Sequence, residues 1–294
     1  MKFIVLGYTG FIGSKVYDSL KSDSENSVIG ISSDEVDLSE VDSYKKLQSI
    51  ITPDSTLIMC VGVKKQLGDD IDIFEKNIVI IDNFIRAIVT AFPKKIIFIS
   101  SAAVYGEDIV HNGKIDEDTL VVNRSYYGMA KHMSESLLDK VCKEIKTKLV
   151  ILRPPLIYGG GDTSFGYGPT GFLRNAVDGK NIVMWGDGNE LREFIYIDDV
   201  VNIINQIIDS EFEGVLNIAS GRSYSYSDVV RIIKSNLCLD VKVDSRERSK
   251  DKVNHIFSNK LINKALNKFK FTNLESGMKL MYDSMQSSYR NDIS

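Results

Sequence analysis

Lys2-Phe3-Ile4-Val5-Leu6-Gly7-Tyr8-Thr9-Gly10-Phe11-Ile12-Gly13 is the stretch whose reading decides the fold. After Lys2 its first residues are apolar, β-branched or aromatic, which predicts a short buried strand. Glycines follow at 7, 10 and 13, and residues 14–20 then read as a helix. Glycine at such a junction lets the backbone approach a pyrophosphate, whose charge sits on the helix N-terminus, and Gly13 permits close helix–strand packing. The spacing is G-x-x-G-x-x-G rather than G-x-G-x-x-G. The triplet alone is therefore weak, and its place at the first strand–helix junction carries the reading.

Outward from this turn the chain alternates. Strands are expected near 2–6, 28–31, 56–61, 95–100 and 148–152, and helices near 12–21, 41–50, 73–91 and 126–145. That rhythm predicts an α/β fold with a doubly wound parallel sheet covered on both faces. After Gly159 it changes. Residues 160–169 form a Gly-rich loop, followed by a helix near 170–178 and a strand at 182–185. Residues 193–209 and 215–219 return to strand–helix–strand, and Ser225-x-x-Asp228 is a capping box opening a helix at 226–236. The expected organisation is a sheet domain from 1–155 plus about 193–220. A smaller, discontinuous C-terminal substrate lobe takes about 156–192 plus 221–294, with a cleft between the lobes as the natural place for a small substrate.

The 294 residues, 43% of them hydrophobic, give ample material for a core. Formal net charge is −4, so no overall basic field recruits nucleic acid. Cys60, Cys142 and Cys238 have neither metal nor disulfide spacing, which fits a reducing cytoplasm. His111, His132 and His255 are scattered, so no metal site is expected. No apolar run approaches the roughly 20 residues of a membrane span.

Chemistry concentrates in Ser125-Tyr126-Tyr127-Gly128-Met129-Ala130-Lys131. Tyr127 and Lys131, four apart, share one helix face. An ammonium near a phenol lowers its pKa from about 10, and a tyrosine so tuned exchanges protons with an alcohol or ketone. Tyr126 is out of register with Lys131 and reads as packing or a substrate wall.

These motifs, with Ser100-Ser101-Ala102-Ala103-Val104-Tyr105-Gly106, Arg153-Pro154 before Tyr158-Gly159, and Arg192-Glu193-Phe194-Ile195-Tyr196-Ile197-Asp198-Asp199-Val200, make the chain resemble an extended short-chain dehydrogenase/reductase of the NAD-dependent epimerase/dehydratase group. The blocks keep that family's order over almost the whole chain. The resemblance implies a Rossmann domain, an NAD(P) cofactor and a nucleotide-diphosphate sugar substrate. It makes Ser101, Tyr127 and Lys131 catalytic: Ser101 holds the reacting oxygen, Tyr127 is general acid/base, and Lys131 holds the nicotinamide ribose.

For the cofactor, the resemblance assigns Gly7, Thr9, Gly10, Phe11 and Ile12 of the turn, and Asp37-Leu38 beside the adenine. Cys60, Val61 and Gly62 lie beneath it, Lys64 and Asn77 near the nicotinamide half, and Ser100 and Pro154 beside the catalytic groups. Ser32-Ser33 stand where such folds usually place a ribose-binding acid, which tilts the expectation slightly towards NADP(H) over NAD(H). For the substrate it assigns Ser101, Ala102, Tyr127 and a diphosphate-binding pair, Arg192 and Arg248. Apolar faces on helices 73–91 and 126–145 match the family's four-helix dimer interface, so a homodimer is implied.

The family's dehydratases carry Asp-Glu where Ala102-Ala103 stand, and its reducing epimerases carry a cysteine at the position of Ala103. Alanine transfers no proton, so plain ketone–alcohol chemistry remains. The expected activity is a 4-keto-6-deoxysugar-nucleotide reductase. The alternatives are a nucleotide-sugar C4 epimerase with retained NAD and a non-catalytic NADP-binding regulator.

Overall fold

The computed structural model describes the chain except residues 64–67, 164–165, 249–250 and 292–294. Contacts divide it into two compact units. The first comprises Met1–Glu107, Glu117–Pro154 and Val201–Ile218; the second comprises Asp108–Asp116, Pro155–Val200 and Ala219–Ser294.

The first unit is a Rossmann-type layer structure. It contains β1 (Lys2–Leu6), α1 (Phe11–Lys21), β2 (Ser27–Ile31), α2 (Tyr44–Gln48), β3 (Ser55–Met59), α3 (Ile71–Ala91) and β4 (Lys95–Ile99). A 3₁₀ turn at Ala102–Tyr105 precedes α4 (Tyr126–Ile145) and β5 (Lys148–Arg153). The six-stranded sheet runs β10-β5-β4-β3-β1-β2, every pair parallel. Strands buried on both faces explain the near-continuous apolar runs: β3 and β4 are buried at every position. α3 and α4 each end on a left-handed residue, Phe92 and Lys146. Strand order reverses between β1 and β3, the switch point at whose carboxyl end such sheets bind ligands.

The second unit holds β6 (Leu156–Tyr158), α5 (Pro169–Val177), β7 (Ile182–Trp185), β8 (Leu191–Arg192) and β9 (Phe194–Tyr196). α6 (Ile197–Asp209) leads back to the first unit and β10 (Gly214–Asn217). Then come β11 (Tyr224–Ser225), α7 (Tyr226–Arg231), β12 (Val243–Arg246), α8 (Lys260–Ala265) and α9 (Leu274–Asn291). Three two-stranded sheets, β6–β9, β7–β12 and β8–β11, replace a central sheet here. The Ser225–Asp228 capping box forms, but α7 yields to a π-helical turn at Ile232–Asn236. Gly277 lets α9 lie against Tyr158, whose hydroxyl would be 2.0 Å from an added Cβ. Among the described residues no helix is long and apolar enough to cross a membrane.

Candidate active site

The glycine turn is built by exclusion. Gly7 has φ +79°, and a Cβ on Gly13 would lie 2.1 Å from the Gly7 carbonyl oxygen. Any side chain at 13 would drive α1 away from β1. Gly10 caps α1 with no side-chain hydrogen bond, so no cap side chain competes with an anion at the start of this helix. Tyr8, whose place the sequence does not explain, lays its ring over Gly30 of β2 and 5.0 Å from the ring of Tyr17.

Around this turn lies a cavity of about 270 Å³. Its lining includes Gly7, Thr9, Gly10, Phe11 and Ile12, then Ser32, Ser33, Asp37 and Leu38, then Cys60, Val61 and Gly62. The structure thus gathers residues from three strand ends into one pocket. Asn77 stands behind it, its amide oxygen accepting from the Val63 N–H at 2.9 Å and its amide nitrogen donating to the Val63 carbonyl at 3.2 Å. Lys64 lies outside the described residues. Ser100 turns away from the pocket and donates to Glu135, while Pro154 offers its carbonyl to the Ala102 N–H at 2.9 Å.

The expected Ser–Tyr–Lys set converges in the first unit. Ser101 ends β4's extension and accepts from the Ala103 N–H at 3.1 Å, which starts the 3₁₀ turn containing Ala102. Ser125 caps α4 by accepting from the Gly128 N–H at 3.0 Å. A Cβ on Gly128 would come 2.8 Å from the Ala103 carbonyl oxygen, so this glycine lets the start of α4 reach the serine turn. Tyr127 is hydrogen-bonded to Ser101. Lys131 donates to the Ile99 carbonyl at 2.9 Å, lies 4.8 Å from the Phe98 ring centroid, and 6.0 Å from that of Tyr127.

The electrostatics differ from the simple expectation. Burial pushes Tyr127 up to about 12, with the Ser101 hydrogen bond opposing it and Glu107 adding to it. Burial also brings Lys131 down to about 8, against the raising influence of Cys60 and Glu135. Desolvation therefore outweighs the Ser101 hydrogen bond, and Tyr127 rests protonated. The Cys60 thiol is likewise pushed up to about 12 by burial, so it enters the pocket neutral.

The second unit places the two arginines differently. Arg192 donates to the carbonyls of Leu191, at 2.9 Å, and Val253. Arg248 is held by Asp187, at 3.0 Å, and by the buried Glu190. Both act electrostatically on Tyr167, whose hydroxyl accepts from the Trp185 N–H at 2.9 Å. Glu193 is buried and accepts from the Gly221 N–H at 2.9 Å and from that of Ser220; burial raises it to about 7.

One residue that the sequence reading missed bears on the cofactor. The Glu35 carboxylate accepts from the backbone N–H of Ser32 at 2.7 Å and from its hydroxyl. Those bonds hold Glu35 below the usual carboxylate range. An acid four residues past the end of β2 was the available signal.

Residues 3–219 match the family model described as "Epimerase: NAD dependent epimerase/dehydratase family". The chain belongs to that family. It is an enzyme of the NAD(P)-dependent superfamily that the family represents. A GDP-6-deoxy-D-talose 4-dehydrogenase of Aggregatibacter actinomycetemcomitans is 24% identical over 96% of this chain and 97% of its own. The UDP-glucose 4-epimerase of Thermotoga maritima, solved with UDP-glucose, has TM-score 0.88 at 21% identity, covering 98% of this chain and 100% of that one. The Thermus thermophilus UDP-glucose 4-epimerase, solved with NAD, has TM-score 0.86 at 20% identity over 98% and 100%. These structural likenesses show the fold.

The tilt towards NADP(H) is corrected by them. Several of the similar family structures, the Thermus one included, contain NAD. The physical reason is on the Ser32-Ser33 turn. The acid missing from positions 32 and 33 is supplied by Glu35, which accepts from the Ser32 hydroxyl and whose charge would repel a 2′-phosphate.

Proposed function

We propose that this protein is a nucleotide-sugar 4-epimerase that keeps NAD bound. The observation that carries the reading is the Tyr127–Ser101 hydrogen bond above Lys131, with alanines at 102 and 103. In this proposal the glycine turn, Asp37 and Gly62 would hold NAD, which the Cβ-free cradle at Gly7 and Gly13 fits. When bound, NAD supplies the two-electron acceptor that makes a sugar alcohol carbon a ketone and then restores it. With a cationic nicotinamide bound beside it, Tyr127 would first give up its resting proton to solvent. As the phenolate it takes the proton of the 4-hydroxyl and later returns one to the same oxygen, Ser101 holds that oxygen, and Lys131 supports the cofactor ribose. Ala102 and Ala103 leave no further acid or base for loss of water. Arg192 is the diphosphate ligand; Arg248, matched by two carboxylates, holds the lobe in shape.

The reductase reading keeps one supporting observation, the 4-dehydrogenase relative that spans the whole chain. The two separate in one experiment. Purified protein is incubated with UDP-glucose and other nucleotide sugars without added cofactor. Epimers appearing with NAD still protein-bound and no net nicotinamide absorbance change support the epimerase. Stoichiometric NAD(P)H oxidation by a nucleotide 4-keto sugar, with no epimer formed, overturns it.

The same reading includes a homodimer through α3 and α4, where Val79, Met129 and Met133 are 37%, 40% and 46% exposed. Met133→Glu should leave a monomer on sedimentation; an unchanged mass refutes that face.

A further inference from the structure

Glu135 stands one turn beyond Lys131 and two beyond Tyr127, so the three share a face of α4. It is 3% exposed and forms a fork with Arg153, itself 5% exposed, at the end of β5. Arg153 Nε meets Oε1 at 3.0 Å and Nη2 meets Oε2 at 2.6 Å. Ser100, the residue before Ser101, donates to the same Oε1. Arg153 Nη1 donates to the Tyr105 hydroxyl at 2.8 Å, and that hydroxyl donates to Asn217 Oδ1 at 2.9 Å. One buried polar chain therefore ties the end of β4, the 3₁₀ turn, α4, β5 and β10 together. The proposed proton-transfer groups hang from the first and third of these.

We propose that Glu135 and Arg153 are positioning residues of the reaction, locking Ser101 to the Tyr127–Lys131 face. This rests on the catalytic reading above, in which those three groups act together. A core would be filled as well by apolar side chains, and a buried ion pair is poor evidence for stability alone. Here Arg153 Nε and Nη2 and the Ser100 hydroxyl all aim at Glu135, on the helix that carries Tyr127 and Lys131, and Ser100 adjoins Ser101. The charge has a second consequence. Facing Lys131 are Cys60 beyond β3, the uncharged Asn77 of α3, Tyr127 and Glu135 of α4, and the Phe98 ring and Ile99 carbonyl of β4. Of the two members of the pair, Glu135 is the one that raises Lys131. Glu135 is thus the anion opposing desolvation of the ammonium, and removing its charge releases the Lys131 proton at lower pH.

Two readouts test this. The first needs no substrate: the Lys131 side-chain amine is titrated by NMR in lysine-15N-labelled protein, assigned with Lys131→Met. Glu135→Gln should move the titration down by roughly one pH unit. The second is turnover of UDP-glucose, for which Glu135→Gln should lower kcat about 10- to 100-fold with KM and retained NAD unchanged. If Glu135→Gln does not fold, Glu135→Leu/Arg153→Met leaves neither charge unpaired. That variant should fold, show the same downward shift and remain slow. An unshifted Lys131 titration in whichever variant folds, or parental kcat in a folded double variant, overturns the proposal. Parental protein inactive on every sugar nucleotide refutes the catalytic reading instead, and leaves the titration to decide the positioning.

Discussion

Lys131 in the first unit and Arg248 in the second are both cations that a motif singles out, yet their surroundings differ. Lys131 is buried against a phenyl ring and a carbonyl, and desolvation draws its pKa down to about 8. Arg248 grips two carboxylates, which raise its pKa. A cation whose charge is under strain is available to a substrate or cofactor. One already matched by acids holds its own loop. Motif position alone separates them poorly, and the identity of the neighbouring acceptors separates them well.

The sharpest way to break the first half of that contrast is to remove the hydroxyl that shares the Lys131 face of α4. Tyr127→Phe deletes one hydroxyl, and turnover should fall on the order of 10³-fold while NAD binding changes less than about twofold. An epimerisation assay beside a cofactor titration checks both. Substantial activity in this variant would mean that the proton passes elsewhere.

Strain on Lys131 also fixes the sign of a pH effect. Its ordinary value is 10.5 and the folded value is about 8. Between them the unfolded chain holds a proton that the folded chain has released, so stability of the NAD-free protein should rise with pH across that interval. The gain should be about 3 kcal/mol and should vanish in Lys131→Met, as read by urea unfolding. Activity should move the opposite way, falling as the ammonium is lost above about 8. A stability curve identical in the parent and in Lys131→Met would show that the side chain is not desolvated.

Legibility followed the same division. The glycine turn and the Tyr–x–x–x–Lys face were readable because backbone geometry dictates them: a Cβ at Gly13 has no room, and a four-residue spacing has one meaning on a helix. The strands of the sheet were readable because double burial demands unbroken apolar runs. What stayed hidden was partner choice. Nothing in the spacing says that Glu190, 58 residues before Arg248, takes its charge, or that Glu35 folds back onto Ser32. Lys131's low pKa was hidden too, since desolvation depends on atoms brought together only by the fold.

The arginines sharpen the second half of the contrast. Arg248→Ala leaves the buried Glu190 without its cation and should destabilise the protein by about 1–3 kcal/mol, seen as a lower Tm. Arg192→Ala should hold Tm more nearly constant and raise KM for the sugar nucleotide about tenfold. Exchange of the two phenotypes would make Arg248 the phosphate ligand and undo the distinction drawn from their acceptors.

The smallest effect concerns Glu35, which is a matched charge of the opposite sign. Ser32 satisfies its carboxylate, so the charge is held in place at the turn that lines the cofactor pocket. Glu35→Gln keeps an acceptor for the Ser32 N–H and removes only the negative charge. Because Glu35 is exposed, solvent screens that charge, and the gain in NADP(H) affinity should be only about three- to tenfold, larger at low salt. NAD affinity should barely move. Titrating both cofactors into parent and variant at two ionic strengths measures this. An unchanged NADP(H) affinity at low salt would place the discrimination in the shape of the turn rather than in its charge.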